Sequence, residues 1–331
     1  MDAFQKKTHK VSRGYTYTYY LHPGDSSKPA LLFQHGWPDN ATMWRDIALP
    51  LRSLNHPIII PDLLGYDGTS KPTDPKEYKW DVMTQDLIDI LTHENISKFI
   101  SIGHDWGSAL ASRMYNYHPD KVVGLCNLNV AYMPPSGDKF DLDAVNDMME
   151  KHFGAPLLGY WYVFAADDGP QVMSENIERL YHAMHGTAAT METMFTRRNS
   201  MREFLTKGRA EDVELRPYAK DEKFKNAFFE RMKRDGFEGP QCWYKVSERS
   251  LQAESDRNLP NERKKVNVPS LYIGCKDDAV CRPEMMVPAK QAGLLPHLEE
   301  AEIIDSAHWC PYEAPEEVVK RMEPWLKKHF S

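Results

Sequence analysis

Four short apolar runs, Leu31-Leu-Phe-Gln, Pro57-Ile-Ile-Ile-Pro, Phe99-Ile-Ser-Ile and Val122-Val-Gly-Leu-Cys-Asn-Leu, punctuate the first 135 residues, with longer stretches of helical period between them. Runs that are apolar at successive rather than alternate positions suit strands covered on both faces. Between the second and third runs, Trp80, Met83, Leu87, Ile90 and Leu91 recur on one helical face, as a crossover helix lying on a sheet requires. A chain patterned in this way is constrained to an α/β fold with a mostly parallel, doubly wound sheet.

The pattern changes after residue 138. Helical stretches rich in Met, Phe and Tyr, broken by Gly and Pro, continue without a central strand until Ser270-Leu-Tyr-Ile-Gly. Glu302-Ile-Ile-Asp then reads as a last strand. Pro315, followed by Val318, Val319, Met322, Leu326 and Phe330, reads as a closing amphipathic helix. The economical organisation is an α/β core of residues 1–138 and 263–331, interrupted by a helical lid (cap) domain over 139–262.

Composition narrows the function classes. The net charge of −7, with no dense basic cluster beyond Lys264-Lys265 and Lys327-Lys328, argues against nucleic acid as a partner. Five cysteines, at 126, 242, 275, 281 and 310, are odd in number and lack a C-x-x-C pair, so neither a disulfide framework nor a zinc knuckle is indicated. The first twenty residues lack the basic start and apolar centre of a signal peptide, and no apolar run approaches a membrane span. A cytoplasmic protein with no membrane partner is expected. Nothing resembles a dedicated dimerisation segment, so the expected state is a monomer or weak homo-oligomer.

The chemistry centres on Gly103-His-Asp105-Trp-Gly107, where the third apolar run gives way to a helical pattern. In a strand-turn-helix elbow the central side chain is held up at the sheet's carboxyl edge. Small residues two positions either side let strand and helix pass closely. A serine at the centre would suit acyl transfer. A carboxylate suits a strained or polarised sp³ carbon instead, so epoxides and alkyl halides become the natural electrophiles.

Other segments supply the groups such chemistry needs. His35-Gly-Trp37-Pro-Asp follows the first run directly, and its glycine lets the Trp37 amide turn back toward the nucleophile. With the amide of Trp106 it would form an oxyanion hole for the charge that develops when water attacks an Asp105 ester. Asp305-Ser-Ala-His308-Trp places a histidine beyond the last strand, where it can serve as the base. A third group must orient that histidine; Asp277 and Asp278 both lie in the loop after Ser270–Gly274, and the spacing favours Asp278.

The order of nucleophile, acid and histidine, with the three motifs His35-Gly-Trp-Pro-Asp, Gly103-His-Asp-Trp-Gly and Asp305-Ser-Ala-His-Trp, resembles the α/β-hydrolase-fold epoxide hydrolases over nearly the whole chain. That resemblance implies two lid tyrosines that hold and protonate the epoxide oxygen. Gly159-Tyr160-Trp and Cys242-Trp-Tyr244-Lys match the two places, with Tyr162 an alternative to Tyr160. It also implies a pocket walled by Trp37, Trp106 and Trp309, a small-molecule epoxide and water as reactants, and no metal or organic cofactor. Two other readings stay open. Haloalkane dehalogenases share the aspartate and a following tryptophan but need halide-binding N–H donors in place of phenols. A non-hydrolytic biosynthetic or binding member of the fold is the other.

Overall fold

Eight strands pair into one sheet in the order β1-β2-β4-β3-β5-β6-β7-β8. They are β1 Gln5–Lys10, β2 Thr16–His22, β3 Ala30–Gln34, β4 Ile58–Pro61, β5 Phe99–His104, β6 Val122–Leu128, β7 Ser270–Ile273 and β8 Leu298–Glu300. The computed structural model describes all residues, 1–331. From β4 to β8 every pairing is parallel, whereas β1–β2 and β2–β4 are antiparallel. The chain leaves β3 for β4 on one side and then crosses to β5 on the other, so the strand order reverses at β3. The crevice beyond the carboxyl ends of such adjoining strands is where open α/β sheets place their sites.

The four apolar runs are buried strands, and their alternation divides the interior. Leu31, Phe33, Ile58, Ile60, Ile100, Ile102, Leu271 and Ile273 point to one face, where Trp44, Ile47, Val318, Met322 and Trp325 cover them. Their neighbours Leu32, Ile59, Phe99 and Tyr272 join a larger core on the opposite face. Each central strand therefore contributes to both cores, which is why its sequence is apolar throughout. Helix α1 (Arg45–Leu51) and the last helix (Pro315–Phe330) serve the first face; α2 (Trp80–His93) and α3 (Trp106–Tyr117) serve the second.

Between β6 and β7 the regular structure is helical, from Leu142–Phe153 to Leu251–Asp256, with a single isolated bridge between Gly186 and Leu215. Side chains from these helices, among them Tyr160, Trp161, Phe164, Trp243 and Tyr244, share the larger core with Trp37 and Trp106. No helix is long and apolar enough to cross a membrane.

The last strand departs from the sequence reading. Strand β8 is Leu298–Glu300, and the Glu302-Ile-Ile-Asp segment pairs only through an isolated bridge from Ile304 to Cys275. Two adjacent isoleucines read as an apolar run, but Ile303 is 51% exposed and only Ile304 enters the core. Strands β1 and β2 carry no such run. The edge strand β1, Gln-Lys-Lys-Thr-His-Lys, is largely exposed and lysine-rich, as sheet edges commonly are.

Candidate active site

Asp105 joins β5 to α3 with φ 55° and ψ −129°. A non-glycine residue in such a region costs about 1–3 kcal/mol, so the surroundings must enforce it. They do so through close backbone approach. A Cβ on Gly103 would lie 2.1 Å from the carbonyl oxygen of Gly107, and one on Gly107 would lie 2.1 Å from that of Gln34. The two glycines flanking the elbow are therefore steric requirements of the crossing between strand and helix.

The loop after β3 is pressed against the carboxylate. A Cβ on Gly36 would lie 2.3 Å from Asp105 Oδ1, and the space it leaves lets the Trp37 amide donate to that oxygen at 2.9 Å. The Trp106 amide, at the start of α3, also favours the ionised carboxylate. His35 braces this turn: Nδ1–H donates to the Gly36 carbonyl at 2.9 Å, and Nε2 accepts from the Leu63 amide at 2.9 Å. Burial pushes its pKa down to about 3, so it is a neutral strut.

His308 stands on the other side of Asp105, its Nε2 3.4 Å from Oδ2. Its Nδ1 meets Asp278 Oδ2 at 2.7 Å, and its carbonyl oxygen accepts from His104 Nε2–H at 2.7 Å. Asp278 also accepts from the amides of Val280 and Cys281 at 3.0 and 2.8 Å and from Asn129 Nδ2 at 2.8 Å. Burial works to raise the Asp278 carboxyl, but the charge and hydrogen bond of His308, aided by the Cys281 amide and Asn129, hold it at about 2. For His308, burial works downward and is outweighed by the Asp278 charge, by the nearby Asp105 carboxylate and by the hydrogen bond to Asp278, which hold the imidazole well above its ordinary value. Asp105 is likewise held below the usual carboxylate range, its burial overcome by His308. The competing acid, Asp277, lies apart: its side chain is 39% exposed and 4.0 Å from Arg216.

Tyr160 and Tyr244 approach from the inserted helices. Their rings are 5.9 Å apart and nearly perpendicular, and both line a pocket with Asp105 and His308. Burial, with the nearby Asp105 charge, raises the pKa of each, so both keep their protons. Tyr162 points elsewhere, its hydroxyl bound to Asp143. Tyr244 is held edge-on by Trp37, Trp106, Trp161 and Phe164 at ring separations of 5.2 to 5.9 Å. Trp309 donates through Nε1 to Asp39 at 3.0 Å and sets its ring edge-on to His308 at 4.8 Å.

Sequence reasoning missed several neighbours. Asn129, at the end of β6 with φ 62°, binds the Asp278 oxygen that His308 also uses. Its signal was available: it ends the strand next to β7 and so shares the sheet edge with the acid loop. Val280, Cys281, Met191 and Phe195 line the pocket and carried no comparable motif. Asp278, Cys281 and His308 present possible metal-ligand atoms within 4.8 Å of one another, yet the first and last already bind each other.

The alpha/beta hydrolase fold family matches residues 29–315, and the chain belongs to that family. Within it, the chain is 26% identical over 302 residues to the bifunctional epoxide hydrolase 2 of Rattus norvegicus, covering 91% of this chain and 52% of that protein. It thus spans about half the length of this bifunctional relative. The epoxide hydrolase srdG of Neurospora crassa is 27% identical over 328 residues, covering 96% of this chain and 93% of its own. Among solved structures, epoxide hydrolase A from Mycobacterium thermoresistibile superposes with a TM-score of 0.81 over 99% of both chains at 20% identity.

Proposed function

We propose that the protein hydrolyses epoxides to vicinal diols through a covalent ester on Asp105. The observation that carries this reading is the division of labour within one carboxylate. Oδ1 is held by the Trp37 amide, while Oδ2 faces His308 in a pocket shared with two protonated phenols. Oδ2 attacks an epoxide carbon, the C–O bond breaks toward the ring oxygen, and Tyr160 or Tyr244 protonates the departing alkoxide. Phenols can do this without a permanent charge in the apolar pocket. His308 then takes a proton from water, which attacks the ester carbonyl. Negative charge builds on Oδ1, where the amides of Trp37 and Trp106 receive it. On collapse the imidazolium, steadied by Asp278, gives its proton to the departing diol oxygen, and the proton left on the new carboxylic acid returns to the phenolate, so that carboxylate, histidine and tyrosine are all restored.

In this reading residues 139–262 act as a lid, carrying the proton donors and keeping bulk water from the reacting centre. Reactants are one small epoxide and water. The five free cysteines, four of them buried, support a cytoplasmic location, and the mixed surface charge supports a monomer or weak homo-oligomer.

Turnover of aryl and alkyl epoxides beside matched bromoalkanes, scored for diol and for bromide with Asp105→Ala as the blank, tests the proposal. Diol that disappears in the variant is the expected result. Bromide release without diol would transfer the protein to the dehalogenases, and ligand binding without turnover would make it a binding member of the fold.

A further inference from the structure

Asp105 and Tyr160 sit at the junction of two cavities of very unequal size, one of about 440 Å³ and the other of about 20 Å³. The large one runs from Trp106 past Phe140, Leu158 and Met149 to Met133 and Met148, which are 44% and 50% exposed, so its outer end reaches solvent. The small one is walled by Met191, Phe195 and Trp309, none more than 5% exposed. On this measure a single water needs about 10–15 Å³, so the small cavity takes one group of that size. The large cavity falls within the usual range for a whole organic ligand, about 300–1,000 Å³.

Three carboxylates, Asp105, Asp138 and Asp256, line the large cavity against two cations, Arg113 and Lys139. Arg113, the buried cation along it, is bound to Asp256 at 3.0 Å, and its other amino group donates to the Met133 carbonyl at 2.8 Å. A substrate carboxylate entering there would have to displace Asp256, which also accepts hydrogen bonds from Tyr117 and Gln252 at 2.7 Å each. Breaking such a buried pair is unfavourable. An uncharged apolar chain meets no such obstacle.

We infer that the substrate is an unsymmetrical epoxide, with a long uncharged hydrocarbon arm on one ring carbon and nothing larger than hydrogen or methyl on the other. The inference rests on the epoxide-hydrolase reading and specifies its substrate. The arm lies in the large cavity and the small substituent in the small one, with the ring between Asp105 Oδ2 and the two phenols.

Three probes test it: the terminal epoxide of a twelve-carbon alkene, the mid-chain epoxide of its isomer, and propylene oxide. The terminal compound should exceed its isomer by about a hundredfold or more in kcat/KM, because a second alkyl chain has no space. It should also exceed propylene oxide by at least about tenfold, from burial of the arm. Phe195→Ala and Met191→Ala, which enlarge the small cavity, should each narrow the ratio between the two long isomers. That ratio is taken within one preparation, so partial misfolding of a variant cancels. Equal turnover of the isomers, a ratio unmoved by both variants, or propylene oxide as the best substrate would overturn the inference while leaving the hydrolase standing. Absence of diol from all three probes would overturn the hydrolase reading itself, and this inference with it.

Discussion

Replacing Asn129 perturbs the acid of the proposed triad without touching it. Its Nδ2 donates to Asp278 Oδ2 at 2.8 Å, the same oxygen that meets His308 Nδ1 at 2.7 Å. A hydrogen bond to a buried charged group contributes about 1.5–3 kcal/mol. Asn129 also holds a backbone φ of 62°, where an alanine costs roughly 1–2 kcal/mol more than a glycine. Asn129→Ala should therefore lose about 3 kcal/mol of stability, and Asn129→Gly, which pays only the hydrogen-bond share, about 2 kcal/mol. Urea unfolding followed by tryptophan fluorescence reads both. Catalysis should split: with Oδ2 left to His308 alone the imidazole is less firmly oriented, so ester hydrolysis should slow about tenfold or more while alkylation of Asp105 proceeds. Rapid quench would show a burst of alkyl-enzyme followed by slow diol release. If both variants matched the wild type in urea midpoint, or if alkylation failed while ester hydrolysis kept its rate, the assigned coupling would be wrong.

Three further outcomes are expected. His308→Gln should trap one substrate equivalent per chain as an adduct on Asp105, visible in the intact mass; an unmodified mass after exposure to a good substrate would count against covalent catalysis. Gly36→Ala sets a methyl where Asp105 Oδ1 now lies 2.3 Å away, so it should cost about 10²–10³ in kcat by displacing an oxyanion donor, with circular dichroism unchanged. Asp62 buries Oδ2 without a partner, and burial lifts its carboxyl from 3.8 to about 7. Because the folded value lies above the unfolded one, the stability this group contributes is full below the unfolded value and is lost as pH rises through the folded one. The difference is worth about 4 kcal/mol. Thermal stability should fall from about pH 4 to about pH 7 in the wild type, level off above that, and fall less in Asp62→Asn; equal slopes would refute the assignment.

The legible parts of the chain were those where chemistry and backbone make the same demand. Gly36, Gly103 and Gly107 announce close approach, and the approach is what points Asp105 and the Trp37 amide at each other. Buried strands were readable because they are covered on both sides. Strand β1 was not, since an exposed lysine-rich edge has no apolar signature, and β2, though buried, is built mostly of Thr and Tyr and lacks an aliphatic run. The choice between Asp277 and Asp278 needed coordinates, because one residue's step reverses which side chain turns inward. Asn129 and the walls of the two cavities were hidden for a different reason: Asn129 meets Asp278 across 149 residues of sequence, the walls likewise come from distant segments, and no local pattern records such neighbours.

The 3.4 Å gap between His308 Nε2 and Asp105 Oδ2 has a consequence for the order of events. In the resting protein the carboxylate is one of the groups that keep the imidazole protonated. Turning that carboxylate into a neutral ester removes its charge, and the histidine gives up its proton more readily as a result. In the proposed cycle, formation of the intermediate would arm the base that destroys it, and water would not be activated beside an empty nucleophile. This contact would then order the two half-reactions, like an interlock that opens the second valve only after the first has closed.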